Sequence, residues 1–165
     1  MNQEQELIYL DASARLPFKM KVIEAEDPKG IIRVVNHGQG RSNNWVGIGT
    51  LVKNINDQYG YTSYMPILRP IKDIEKEITH YGQSFKMIDL IFPGEDFNPN
   101  VFYEIDEEHQ LLDIRIIRET PIYTPSYSFN VWDYKNLIEY MFDVNGLIPK
   151  GLAIDVNTLD ENPYK

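Results

Sequence analysis

The chain has 165 residues, of which 42% are hydrophobic and none is cysteine. A chain of this size buries a core without disulfides or a structural metal, so we expect a single domain over residues 1–165, with no disulfide framework and no thiolate chemistry. The net charge of −9 disfavours general binding to nucleic acid or anionic lipid, because like charges repel.

The N-terminus does not have the pattern of a secretory signal. Residues 1–6 are polar and acidic, whereas a secretory signal has a basic start and an apolar run. The apolar runs of the chain are far shorter than the ~20 residues that cross a bilayer. We therefore expect a soluble cytoplasmic protein that binds no membrane. The last residues, 156–165, are expected to form a loose tail.

The first part of the chain predicts a helix followed by a β-hairpin. Apolar residues between 7 and 14 indicate a short N-terminal helix, which Pro17 ends. Alternating apolar and lysine residues over 18–22 predict a strand. The Asp-Pro-Lys-Gly turn at 27–30 connects that strand to a second one over 31–35.

The middle of the chain predicts two more strands and a second helix. Residues 45–52 alternate between faces as in a strand, and residues 61–68 look extended up to Pro70. Apolar side chains then recur at spacings of three, four and three, which predicts a helix over 71–81. The residues on its apolar face are Ile71, Ile74, Ile78 and Tyr81.

The C-terminal half predicts a second hairpin and the strongest helix. Residues 85–92 are apolar and fit a strand or a helix, and the runs 101–105 and 112–117 flank an acidic hairpin tip. A helical apolar face follows over 131–143. The chain is thus predicted to be α+β, with an antiparallel sheet of several hairpin strands packed with about three helices: N-terminal, 71–81 and 131–143.

The residue types that carry catalysis are scattered. His37, His80 and His109 fall in separate predicted elements, and none is at helical spacing from another metal-ligating residue. Glu107 and Glu108 are expected at an exposed hairpin tip, where a carboxyl group keeps its ordinary acidity. We therefore predict that the protein is not an enzyme and has no catalytic residue, metal site or cofactor.

Three loops contain fragments of known ligand-binding patterns. Residues 38–42 offer glycine amides and Arg41, as an anion-binding loop does, but they lack the lysine of a P-loop, so we interpret them as a connecting loop. Gly47 and Gly49 favour a strand packed close to its neighbour. Residues 143–146 and 155–160 lack the full set of oxygen ligands of a calcium loop, which indicates a helix end and a solvated tail.

An aromatic-rich stretch near the third predicted helix is the candidate partner-binding site. It includes Tyr123, Tyr127 and Trp132, and tyrosine and tryptophan are favoured anchors in protein interfaces. The alternative interpretation is that these rings cover the core of the domain itself.

Three segments carry a resemblance to a known family. They are residues 12–22 (ASARLPFKMKV), 66–70 (PILRP) and 142–154 (FDVNGLIPKGLAI). In this order they resemble small uncharacterised proteins encoded by phages, prophages and mobile elements of Bacteroidetes, which carry motifs of the ARLPYGV, YLRPMSS and FDYRGLIPKGLAL types. The chain departs from these motifs at Phe18, Lys19, Val144 and Asn145. The resemblance implies a phage gene expressed in a bacterial cytoplasm, and it brings no activity, cofactor or catalytic residue.

Together these features lead to one functional hypothesis and three alternatives. The first is a phage-encoded intracellular protein-binding module that contacts a host or defence component through an aromatic or acidic surface. The alternatives are a structural or assembly component of the virion, an enzyme with a composite site, and an acidic imitation of DNA toward a basic partner.

Overall fold

The computed structural model describes residues 2–27, 29–53, 63–91, 104–106, 111–113 and 131–165. Over these residues the chain forms an α+β fold, which confirms the predicted class. Its helices are α1 (Gln3–Arg15), α2 (Ile48–Lys53), α3 (Met87–Ile91) and α4 (Val131–Glu139). Its strands are β1 (Lys21–Glu24), β2 (Arg33–Asn36), β3 (Trp45–Gly47), β4 (Tyr64–Leu68), β5 (Glu77–His80), β6 (Gln83–Lys86), β7 (Glu104–Asp106), β8 (Leu111–Asp113) and β9 (Ile154–Asp155).

The N-terminal helix and the hairpin after it are confirmed, but the first strand begins at Lys21 rather than at residue 18, because Leu16–Phe18 form a 3-10 helix. Asn2 begins α1, because its side chain accepts a hydrogen bond from the Gln5 amide at 2.8 Å while the Gln5 side chain accepts one from the Asn2 amide at 2.9 Å. The helix ends at Arg15, just before the proline that was expected to stop it. β1 and β2 then pair antiparallel, and the Gly30 amide closes the turn between them on the Asp27 carbonyl at 2.9 Å.

The main sheet is mixed and has the strand order β3-β2-β1-β4-β9. Its centre is antiparallel, with β1 between β2 and β4, but β3 runs parallel to β2 and β9 runs parallel to β4. The expectation of a purely antiparallel sheet of hairpin strands is therefore wrong at both edges. Alternation within a strand reports which face is buried, and it carries no information about the direction of the neighbouring strand.

The predicted helix over 71–81 is wrong beyond its first turn. The chain forms a 3-10 helix over Ile71–Glu75 and then enters β5, which pairs antiparallel with β6. Tyr81 and Gly82 make the two-residue turn between these strands, with φ of 47° and 80°. The isoleucines at 71, 74 and 78 are buried in this arrangement too. The spacing of these isoleucines could not distinguish a continuous α-helix from a 3-10 helix followed by a strand, because a 3-10 helix repeats every three residues.

The predicted strand over 45–52 is wrong in its second half. β3 stops at Gly47, and α2 continues the chain from there. Ile48, Leu51 and Val52 are buried on one side of this short helix. Two of these three side chains also fit an alternating pattern, which is why the sequence favoured a strand.

The third predicted helix is present but ends at Glu139 rather than at residue 143. Met141 adopts a left-handed backbone conformation with φ of 65°. The Phe142 amide reaches back to the Leu137 carbonyl at 2.8 Å, and the Met141 amide donates to the Ile138 carbonyl at 3.1 Å. These bonds form a Schellman motif, which ends a helix whatever the hydrophobic pattern beyond it.

Two further predictions concern residues 85–92 and the acidic hairpin. Residues 85–92, which fitted either a strand or a helix, contain a part of each, because β6 ends at Lys86 and α3 begins at Met87. The second hairpin is confirmed as the antiparallel pair β7 and β8. Its predicted tip, with Glu107, Glu108 and His109, lies outside the described residues.

The expected loose tail over 156–165 is instead packed against the sheet. Tyr164 is fully buried, its hydroxyl donates to the Ile67 carbonyl at 2.8 Å, and the same oxygen accepts the Lys21 amide at 3.0 Å. Val156 is buried as well. The Asn157 side chain also donates to the Asp73 carboxylate at 2.6 Å. Composition alone suggested a solvated end because most residues of the segment are polar.

Candidate partner-binding surface

The first turn of α4 exposes apolar side chains while the rest of the helix is anchored. Leu137 and Ile138 are buried, and α4 packs against α3. Val131, Trp132 and Tyr134 are exposed at the other end of the helix. Because one end of α4 is held in the core, these apolar side chains are presented to solvent on a fixed element rather than on a loop.

Trp132 is the most prominent of the predicted partner-binding residues. Its side chain is 69% exposed. The ammonium nitrogen of Lys135 lies 5.6 Å from the centre of its ring, and the same nitrogen is 3.8 Å from the carboxylate of Glu139. The two other predicted residues, Tyr123 and Tyr127, lie outside the described residues. The structure therefore places one of the three, on the surface and beside a lysine.

The histidines are found in unrelated surroundings. His37 is exposed in the loop after β2, and His80 is buried at the end of β5. Over the described ranges, no group of three histidine, aspartate or glutamate side chains is close enough to hold a metal ion.

His80 lies in an aromatic cluster formed by His80, Tyr81, Tyr140 and Tyr164. Its ring stacks on Tyr164 at 5.5 Å and meets Tyr81 and Tyr140 edge-on at 4.6 and 5.1 Å. It is only 6% exposed, and among the described residues its Nδ1 has no hydrogen-bond partner. Burial and then the nearby charge of Arg69 lower the pKa of His80 from 6.5 to about 4. The ring is therefore neutral near pH 7 and fills space in the cluster.

Arg69 connects this aromatic cluster to the main sheet. Its guanidinium donates to the Tyr140 carbonyl at 3.2 Å and to the Thr79 carbonyl at 2.8 Å. Burial lowers the pKa of Arg69, although Tyr164 and Asp73 act in the opposite direction. Two of its nitrogens are thus used to hold backbone segments together.

A second buried polar cluster joins α1 to the C-terminal loop, and the sequence interpretation missed it. Asp11 and Arg15 form an ion pair at 2.7 Å in which both side chains are fully buried. Arg15 also donates to the Phe142 carbonyl at 2.7 Å, and the Asn145 side chain donates to Asp11 at 2.8 Å. An acid and a base four residues apart on a predicted helix were the available signal.

The sequence indicated a helix end at the calcium-like fragment 143–146, but α4 already ends at Glu139 and the fragment forms part of the loop that follows. The Asp143 carboxylate accepts the amides of Leu147 and Ile148, both at 2.8 Å, and Lys150 donates to the carbonyls of Asn145 and Gly146. Burial raises the pKa of Asp143, while the two amides act in the opposite direction. Both carboxylate oxygens are therefore occupied by the protein's own donors.

The glycine-rich loop 38–42 folds back on the edge strand β3. The Gly47 amide donates to the Gly40 carbonyl at 2.8 Å, and Arg41 donates to the Tyr64 hydroxyl at 3.0 Å. A side chain at position 47 would lie 2.7 Å from the carbonyl oxygen of Gly38. The loop thus connects β2 to β3 and covers the sheet edge, as expected of a connecting loop beside closely packed glycines.

The three segments that carry the family resemblance meet in one place. Val22 of the first pairs with Pro66 of the second. Ile67 pairs with Ile154 of the third, which also reaches the second segment through the bridge between Arg69 and Phe142. These segments therefore build part of the main sheet and the polar cluster around Arg15, and none of them includes the exposed first turn of α4.

Comparisons with known proteins add no assignment to this geometry. The chain matches no protein-family model, no curated protein and no solved structure. In the part of the chain that the structure describes, every helix is too short or too polar to cross a membrane.

Proposed function

We propose that the chain is a phage-encoded, non-enzymatic protein-binding module that acts in the cytoplasm of its bacterial host, with a host or defence component as its partner. The observation that carries the proposal is the exposed tryptophan on the anchored helix α4. Tryptophan at a protein interface buries a large area with little loss of side-chain freedom.

The charges around Trp132 fit the same proposal. Lys135 lies over its ring and Glu139 neutralises that lysine in part, so the ring is bordered by polar groups of both signs. An apolar centre with a polar rim is the usual organisation of a protein interface. The phage origin rests on the resemblance of the three core segments.

The test begins with capture of partners from a host lysate by the immobilised protein, followed by purification of the retained partner. Binding of that partner is then measured by calorimetry for the wild type and for Trp132→Ala. The expected result is a weakening of about thirtyfold or more, as for a central interface residue. Circular dichroism confirms that the variant is folded.

Leu10→Ala is the matched control, since Leu10 is an apolar residue on α1 that is 61% exposed. It should bind the partner as the wild type does. Equal affinity of wild type and Trp132→Ala would contradict the proposed surface. Stoichiometric copies of the protein in purified particles, detected by mass spectrometry, would contradict the intracellular role and support the virion alternative.

A double variant, Tyr123→Ala with Tyr127→Ala, extends the test to the other two predicted residues. If all three belong to one surface, the double variant also weakens binding, and its effect combines non-additively with that of Trp132→Ala. Unchanged binding would remove Tyr123 and Tyr127 from the proposed site.

A further inference from the structure

A groove separates the β1–β2 hairpin from the C-terminal segment. Its volume is about 410 Å³, and its apolar lining includes Ile23, Ile32 and Leu159. This volume falls in the range of roughly 300–1,000 Å³ that is typical of ligand sites. The groove can therefore receive at least one large apolar side chain.

The apolar lining continues onto the surface of the hairpin. Ile32 lines the groove and is 36% exposed, and its neighbour Ile31 is 53% exposed outside the groove. Ile23 is almost fully buried and forms the floor. A partner that enters the groove would cover apolar surface that is now in contact with water.

The rim of the groove is mainly acidic. Asp160 and Glu161 line one side and Lys29 lines the other, where its ammonium lies 3.3 Å from the Asp160 carboxylate. Both members of this pair are largely exposed, so the pair is weak and is easily rearranged. Glu26 and Asp27 are exposed in the same hairpin. Among the charged residues that line the groove, Asp160 and Glu161 outnumber Lys29, so the net charge of the lining is negative.

We infer that this groove binds a short peptide segment in which a large apolar side chain is flanked by lysine or arginine. The apolar side chain occupies the space over Ile23, Ile32 and Leu159, and the flanking cations face the acidic rim. The net charge of −9 on the whole chain favours the approach of such a segment. The residues that line this groove do not include Trp132, and this inference is independent of the proposed function.

The experiment is an NMR titration of the ¹⁵N-labelled full chain with three synthetic peptides. The probe is KRLFKR, and the matched controls are EELFEE, with reversed charge, and KRSSKR, without the apolar pair. KRLFKR should shift the amides of residues 23–32 and 158–161. EELFEE should leave them unchanged, and KRSSKR should bind at least about tenfold more weakly. Absence of shifts with KRLFKR, shifts elsewhere only, or equal binding of EELFEE would overturn the inference.

Two variants test the lining and the rim separately. Ile32→Ser should weaken KRLFKR binding about tenfold, whereas Ile31→Ser, the adjacent exposed isoleucine, should change it less than about twofold. Glu161→Lys should also weaken binding, and that loss should shrink at high salt. Equal effects of the two serine variants, or unchanged binding by Glu161→Lys, would contradict the site. Trp132→Ala should bind the peptide as the wild type does, which separates this test from that of the proposed function.

Discussion

His80 shows what burial does to a single ionisable residue. It is packed between Tyr81, Tyr140 and Tyr164, close to the charge of Arg69, so the folded protein favours its neutral form. The pKa of this ring is about 4 in the folded protein, whereas the ordinary value is 6.5. As the pH falls below 6.5, the unfolded chain binds a proton that the folded chain does not bind until pH 4. His80 therefore lowers the stability of the fold between these two pH values and has no such effect above them.

The prediction is that lowering the pH from 7 to 5 reduces the free energy of unfolding by about 1–2 kcal/mol through His80. His80→Phe keeps a ring in the cluster and removes the titration, so its stability should fall less over the same interval. Urea unfolding at both pH values measures the difference. His37→Gln is the control, because His37 is exposed, and it should follow the wild type. Identical pH slopes for His80→Phe and the wild type would contradict this account.

Residue-scale prediction from sequence succeeded where a side chain acts alone and failed where its partners are distant. His37 and His80 lie in separate elements, as the local patterns predicted, whereas the sequence left open whether Trp132 is exposed or covers the core. The burial of Arg15 depends on carbonyls at positions 138 and 142, more than a hundred residues away along the chain. A local pattern could suggest the pairing of Asp11 with Arg15, but it contains no information about that distant environment.

At the scale of elements, the loop after β2 shows how glycine permits close packing. The chain returns over the edge of β3, and the Gly49 amide donates to the Gly38 carbonyl at 2.9 Å. Gly47 lies directly under the same carbonyl, where a methyl group would be 2.7 Å from its oxygen. That oxygen belongs to the backbone, so the contact could be relieved only by moving the loop.

Gly47→Ala should therefore destabilise the protein by about 1–3 kcal/mol. The measurement is chemical denaturation, and the amides of residues 38–42 should also exchange faster with solvent if the loop has moved. Asn44→Ala, an exposed position in the same loop, should stay within about 0.5 kcal/mol of the wild type. A Gly47→Ala protein as stable as the Asn44→Ala control would show that the loop does not pack closely on β3.

The element boundaries that the sequence missed have one physical cause. Around residues 48 and 76, the chain changes from one regular structure to another while apolar side chains continue to face the same core. A pattern of buried positions is then continuous across the boundary. Residue 76 has no adjacent proline or glycine, and Gly47 and Gly49 beside residue 48 also fit a strand that packs close to its neighbour. The N-terminal helix was predicted well because Pro17 marks its end.

At the scale of the whole molecule, the edge formed by β4 and β9 could not be predicted because it joins segments far apart in sequence. β9 pairs with β4 through Ile154 and Ile67, and only two residues of β9 take part. So short a strand has no detectable period of its own. The antiparallel centre was predictable because β1 and β2 are joined by a turn with a recognisable sequence.

The C-terminal segment is the strongest whole-molecule test, because Tyr164 joins parts of the fold that are distant in sequence. Its hydroxyl binds β4 through the Ile67 carbonyl and β1 through the Lys21 amide, while its own carbonyl accepts the Tyr81 amide at 2.6 Å. The ring also stacks on His80. Burial raises the pKa of Tyr164, so the hydroxyl remains protonated and able to donate above the pH at which a solvent-exposed tyrosine ionises.

Tyr164→Ala should lower the free energy of unfolding by about 3–5 kcal/mol, because it leaves a cavity in the hydrophobic core that covers the main sheet. Tyr164→Phe keeps the ring and should lose only about 1–3 kcal/mol, the penalty for leaving the Ile67 carbonyl and the Lys21 amide without their partner. Lys165→Ala changes an exposed neighbour and should have almost no effect in the same denaturant titration. If Tyr164→Ala were as stable as Lys165→Ala, the tail would be solvated after all, as its composition suggests. The free energy of unfolding should therefore decrease in the order Lys165→Ala, Tyr164→Phe and Tyr164→Ala, because the Tyr164 side chain holds the end of the chain against the sheet.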